Sequence, residues 1–152
     1  MKYVFVFLTL FCGLASACES DVQKNKMAEV LYANTEMRNF VCASNLCELK
    51  KFREGLQFHL YKKKFQGGIL SVCLVEPVLS AANIYTGVFA TAGGDYELQL
   101  ISYGTGIKLH NSKCEGPVMM EYGVSDPDGH EYSVDKYLWR GSGFIFVGGD
   151  QF

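Results

Sequence analysis

The hydrophobic spacing of the chain changes from a helical to a strand period at Leu56, and nothing else in the sequence restricts its fold as much. Before that point Met27, Val30, Leu31, Met37 and Val41 recur at steps of three, four and seven, which puts them on one face of a helix. The spacing predicts a helix over about residues 21–40, with Ser20 or Asp21 as its cap. Leu46, Leu49, Phe52 and Leu56 predict a second, shorter helix, capped by Ser44 or Asn45 and ended by Gly55.

From Leu56 onward Leu56, Phe58 and Leu60 alternate with Gln57, His59 and Tyr61, and QGG at 66–68 turns the chain into the apolar run ILSVCLV at 69–75. Further strands are expected at 84–91, 96–103, 107–110, 118–124, 131–139 and 144–147. AGGD, GTG, NSKCEGP, SDPDGH and GSG lie between them, all rich in residues that accept turn geometry. Short strands joined by close turns must be antiparallel, because parallel neighbours need long crossovers. The expected fold is α+β: an N-terminal helical segment packed on an antiparallel β-meander of six to eight strands.

Residues 1–17 differ in kind from the rest. Lys2 precedes an uncharged apolar run at 3–14, and Ala15-Ser16-Ala17 has the small-x-small pattern that signal peptidases accept. A run of about 12 residues is too short to cross a bilayer as a helix. We read 1–17 as a signal peptide and 18–152 as a single exported domain, mainly helical over 18–55 and β-rich over 56–152. Its localisation is then periplasmic or secreted.

Export sets the redox compartment, in which thiols pair. Removal of 1–17 takes Cys12 away and leaves Cys18, Cys42, Cys47, Cys73 and Cys114, an odd number. Lipidation of Cys18, with anchoring at the outer membrane, would restore even parity, although Ala15 stands where lipoprotein signals carry Leu. A free or otherwise paired Cys18 is the alternative. Cys42 and Cys47 enclose CASNLC, which is short enough for a local bridge and leaves Cys73 to pair with Cys114.

Charge divides at nearly the same place as hydrophobic spacing. Residues 18–65 carry nine Lys or Arg against six Asp or Glu, a balance of +3, and residues 66–152 carry four against ten, a balance of −6. That distribution excludes a general nucleic-acid binder, which needs a large positive face. The clusters Lys50-Lys51-x-Arg53 and Lys62-Lys63-Lys64 read as solvated faces that protect strand edges.

No H-E-x-x-H pair, G-x-S-x-G elbow or Walker loop is present. His110 and Cys114 are near enough in sequence for a thiol–imidazole pair, but a disulfide is the expected fate of Cys114. Cys42, Cys47, His59 and Cys73 would be a four-ligand zinc set of unusual spacing. In SDPDGHEYSVD, Asp126, Asp128 and Asp135 suit a calcium loop with Gly129 at its turn, yet Val124 stands at the first ligand position. We therefore assign no metal, no cofactor and no catalytic residue. Turns on rigid strands remain as the recognition elements: Lys113 and Glu115 beside Cys114 in one, and Asp126, Asp128 and His130 in another. Tyr96, Tyr103, Tyr122, Tyr132, Tyr137, Trp139, Phe144 and Phe146 concentrate in the β part, where those sharing a face with Trp139 would form a partner surface.

The segment from GDYELQLISY to GSGFIFV, residues 94–147, resembles small uncharacterised exported β-rich proteins of Gram-negative bacteria, in which a tyrosine-led strand and a final aromatic–Gly–aromatic hairpin recur. The chain is more loosely similar to periplasmic lysozyme inhibitors and effector-immunity proteins, which place a C-x4-C loop in an enzyme cleft. Their loop carries a histidine; here Ala43, Ser44, Asn45 and Leu46 occupy the place. The resemblance implies a non-catalytic periplasmic protein that binds another protein, in its sharper form an inhibitor of a peptidoglycan hydrolase toxin. An envelope lipoprotein with a structural role and a small exported hydrolase are the alternatives.

Overall fold

A computed structural model describes residues 20–43, 46–78, 83–111, 118–125 and 132–151. Its helices are α1 (Asp21–Tyr32), α2 (Thr35–Val41) and α3 (Leu49–Glu54). Where one helix was expected over 21–40 there are two, because Asn34 leaves helical geometry and its side chain accepts from the Met37 amide at 2.8 Å. That bond starts α2 afresh. The break re-aims the apolar face: Met27, Leu31 and Met37 are buried, whereas Val30 is exposed. The Ser20 hydroxyl caps α1 as expected. α3 begins later than expected, with Glu48 at its N-cap and no side-chain cap bond, and Ser44 and Asn45, the caps expected for it, lie outside the described residues. Gly55 ends it.

Eight strands follow: β1 (Leu56–Phe65), β2 (Gly68–Pro77), β3 (Ile84–Thr91), β4 (Glu97–Gly104), β5 (Gly106–Asn111), β6 (Val118–Ser125), β7 (Tyr132–Trp139) and β8 (Phe144–Gln151). Every neighbouring pair is antiparallel and in meander order, and the meander divides into two four-stranded sheets, β1-β2-β3-β4 and β5-β6-β7-β8. The division falls at Thr105, whose amide and hydroxyl both donate to the Gly123 carbonyl, at 2.7 and 3.1 Å, and so commit the chain to β6. Gly106, at φ 140°, supplies a backbone conformation closed to residues with a Cβ.

Two cores give the molecule three layers. The first core lies between the helices and the first sheet and contains Met27, Leu31, Met37, Phe52, Leu56, Cys73, Val75 and Phe89. The second lies between the sheets and joins Leu70, Val72, Leu74, Val88 and Ala90 to Val118, Met120 and Trp139. Successive residues of β2 and β3 therefore enter opposite cores, which is why β2 reads as a near-continuous apolar run. At Gly87 the helical layer comes so near that a Cβ would stand 2.7 Å from the Leu31 Cδ2. At the far end of the sheets Asn111 Nδ2 donates to the Lys64 carbonyl at 2.6 Å and ties β5 to β1. Phe144 N donates to Gln99 Oε1 at 3.2 Å, where the register of β4 slips and leaves Gln99 as an extra residue.

Among the described residues no helix is long and apolar enough to cross a membrane. The segment 1–17 and Cys18 lie outside the described residues.

Candidate protein-binding face

The disulfide expected at CASNLC is present: Cys42 and Cys47 are joined, with Cα atoms 5.8 Å apart. The two thiolates that the zinc set would need are thus consumed by each other. Cys73 also stands in a disulfide, and Cys114, the partner expected for it, lies outside the described residues.

The base of the Cys42–Cys47 loop is fixed from three sides. Cys42 caps the C-terminus of α2 with its amide on the Arg38 carbonyl at 2.9 Å. Ala43 holds φ 51°, a left-handed conformation that costs a residue with a Cβ about 1 kcal/mol and that the bridge maintains. Tyr32 Oη donates to the Cys47 carbonyl at 2.6 Å, while its ring packs edge-on against the buried Phe52 with centroids 5.3 Å apart. Arg38 lies over the other face of this arrangement, its guanidinium 5.3 Å from the Tyr32 ring and donating to the Tyr32 carbonyl at 3.3 Å.

On this anchored base Leu46 is 93% exposed. It was expected to lead the apolar face of the second helix, and it does not, because Glu48 is the extended N-cap and α3 starts only at Leu49. Sequence reasoning named Leu46 both as the first apolar residue of that helix and as an occupant of the C-x4-C loop, without singling it out as exposed. The signal that could have found it was an apolar side chain confined between two cysteines too close for the intervening loop to fold over it.

α2, whose C-cap is Cys42, carries an aromatic cluster. Phe40 packs edge-on against Tyr85 of β3 at 5.4 Å and against Tyr103 of β4 at 6.4 Å, and the two tyrosine rings lie 4.7 Å apart. Tyr85 Oη donates to Glu36 Oε2 at 3.5 Å. Desolvation raises the Tyr85 pKa above the ordinary phenol value, and the negative charge of Glu36 adds to the rise. Tyr85 is therefore a neutral donor at physiological pH. Tyr103 is exposed beside it. The face thus combines one protruding aliphatic side chain, an aromatic cluster and a few fixed polar groups, the composition of a recognition surface.

The other expected site residues fall differently. Lys113, Glu115, Asp126, Asp128 and His130 lie outside the described residues. The strands that flank them place the bases of their two turns: Asn111 pairs with Val118 at the start of β6, and Ser125 with Tyr132 at its end. These bases stand at opposite ends of an eight-residue strand, about 24 Å apart. His59 and His110 are on different sheets, each near a glutamate, with Nε2 3.7 Å from Glu76 Oε2 and 4.0 Å from Glu121 Oε1 respectively. Trp139, expected to share a partner surface with other aromatics, is 5% exposed and belongs to the second core.

Among the described residues no group of three or more His, Cys, Asp or Glu is placed to hold a metal ion. Comparison with models of protein families, with curated proteins and with solved structures finds no match to this chain.

Proposed function

We propose that this is an exported, non-catalytic protein that binds another protein through the Cys42–Cys47 loop and the aromatic face beside it, and that its partner is an enzyme of the cell wall whose cleft the loop enters. The observation that carries this reading is the 93% exposure of Leu46 on a loop whose base is fixed by a disulfide and by the Tyr32 hydrogen bond. A large apolar side chain left in water is stabilised by a partner's pocket, and a loop already held in shape loses little entropy on binding. The resemblance to inhibitors that insert a C-x4-C loop into an enzyme cleft supports the same reading, with Leu46 taking an apolar pocket where those loops offer a histidine. The signal-like segment 1–17 supports periplasmic or secreted localisation, and lipidation of Cys18 would add an outer-membrane anchor.

The test is titration of the mature protein against a panel of peptidoglycan hydrolases, read as turbidity loss of cell-wall suspensions. Stoichiometric inhibition of one enzyme is expected. Leu46→Asp should weaken it by roughly thirtyfold or more, corresponding to about 2 kcal/mol, with the melting temperature unchanged. Equal inhibition by Leu46→Asp and the parent protein would remove the loop from the interface. The double substitution Asp126→Ala with Asp128→Ala, run in parallel, decides whether the turn after β6 contributes.

A further inference from the structure

At the end of the molecule where β1 turns into β2, β3 into β4 and β7 into β8, two clefts meet at Trp139. One, of about 250 Å³, is lined by Thr91, Asp95, Glu97 and Ser142 among others. The second, of about 420 Å³, is lined by Phe65, Gln66 and Arg140. Trp139 and Gly141 line both, so the clefts adjoin at these two residues.

That indole carries an unresolved polar group. Trp139 is 5% exposed, its ring packs edge-on against Phe144 with centroids 5.3 Å apart, and its Nε1 is buried with no hydrogen-bond partner among the described residues. An N–H deprived of both water and a protein acceptor costs about 1–3 kcal/mol. An acceptor arriving from either cleft would recover that energy.

The lining narrows what the acceptor belongs to. Asp95 is held in place, accepting from Gln23 Nε2 at 3.2 Å and standing 3.9 Å from Lys26 Nζ. The Glu97 carboxylate is exposed and makes no hydrogen bond or ion pair with the described residues, so its acceptor capacity is open. Two carboxylates disfavour an anion, and Arg140 at the other side disfavours a cation. Hydroxyls, carboxylates and a carboxamide disfavour a wholly apolar guest. A neutral molecule dense in groups that both donate and accept satisfies all of them: its hydroxyls donate to Glu97 and Asp95, and its oxygens accept from Arg140, Gln66 and Trp139 Nε1.

We propose that the two clefts that meet at Trp139 bind a neutral glycan, one pyranose in each cleft. This site lies among the hairpin turns and does not depend on the protein-binding loop.

The chain contains one tryptophan, so emission excited selectively at the indole, beyond the absorption of the tyrosines, reports on this site alone. Mature protein should be titrated with a β-1,4-linked tetramer of N-acetylglucosamine and, separately, with glucose and galactose oligomers, while the indole N–H resonance is followed by nitrogen-15 correlation spectra. A saturable change in emission is expected with at least one glycan, together with a shift of the indole N–H resonance. Glu97→Gln, at an exposed position, should weaken binding about tenfold with the melting temperature retained. Unchanged emission and an unmoved indole resonance with every glycan at millimolar concentration would overturn the proposal. Equal affinity of Glu97→Gln and parent would also overturn it, as would a response to short neutral peptides alone.

Discussion

The two sheets have the same strand number and the same meander order, yet only the first is covered on both faces. β2 and β3 send alternate side chains into the helical core and the inter-sheet core, so Leu70, Val72, Cys73, Leu74, Val75, Val88, Phe89 and Ala90 are all buried. In the second sheet Val118, Met120 and Trp139 reach the inter-sheet core, while Ile145, Phe146 and Val147 of β8 are exposed. The register of β8 slips at Val147, one residue longer than its partner, and a bulge of this kind twists an edge away from further pairing. The first sheet thus carries the stability of the fold, and the second is free to vary on its outer side.

The largest effect that could break this comparison is a cavity in the helical core. Phe52 has no exposed surface and packs against Tyr32, so Phe52→Ala should cost about 3–5 kcal/mol in chemical denaturation. Ile145→Ala on β8 should change stability by no more than about 0.5 kcal/mol. Similar losses for the two would mean that the outer side of β8 is covered in solution and that the sheets are not unequal.

The inequality explains what could be read from residues alone. Burial on both sides makes ILSVCLV an apolar run, and β1 alternates because Leu56, Phe58 and Leu60 face the helical core while Gln57, His59 and Tyr61 do not. Strand positions were legible for that reason. The break between α1 and α2 was not, since Asn34 is an ordinary residue in a helix-compatible stretch until its side chain turns back to the Met37 amide. Nor was the partition into two sheets, because Gly104-Thr105-Gly106 has the composition of any tight turn and only the bonds from Thr105 to Gly123 send β5 to a new sheet. The exposed Leu46 was hidden by a periodic match to Leu49 and Phe52, and the burial of Trp139 by the number of other aromatics around it. Periodicity reports which faces are apolar. It does not report which layer will cover them.

A middle-sized effect belongs to the Cys42–Cys47 bridge. Its small loop restricts the unfolded chain only modestly, and replacing both cysteines by alanine should cost about 2 kcal/mol, seen as a lower denaturant midpoint with little change in slope. The loss should be expressed in the helical layer. Amide exchange should quicken in α2 and α3 while β6 and β7 keep their protection. Uniform loss of protection through both sheets would show that the helices and the second sheet unfold as one unit.

The smallest effect compares one partly buried phenol packed against each core. Tyr96 packs against the helical core and Tyr137 against the inter-sheet core, and both pKa values are raised from the ordinary 10.0. For both, desolvation is the largest cause. At Tyr96 a hydrogen bond with Ser71 opposes it, whereas at Tyr137 the negative charge of Asp135 adds to it. A folded chain that retains these protons after the unfolded chain has released them has their full contribution to stability below the ordinary phenol range. It loses that contribution as the pH climbs through the raised folded values. Stability should therefore fall on the alkaline side, and Tyr96→Phe or Tyr137→Phe should each make the fall shallower. Salt separates the two, because screening acts on the Asp135 charge and leaves burial untouched. In ultraviolet titrations at low and high ionic strength, subtracting each single variant from the parent isolates the phenol removed, and the component lost in Tyr137→Phe should move toward 10.0 when salt is added. The component lost in Tyr96→Phe should not. An equal salt response from both would mean that charge contributes on the helical side as well, and the two cores would then be electrostatically alike.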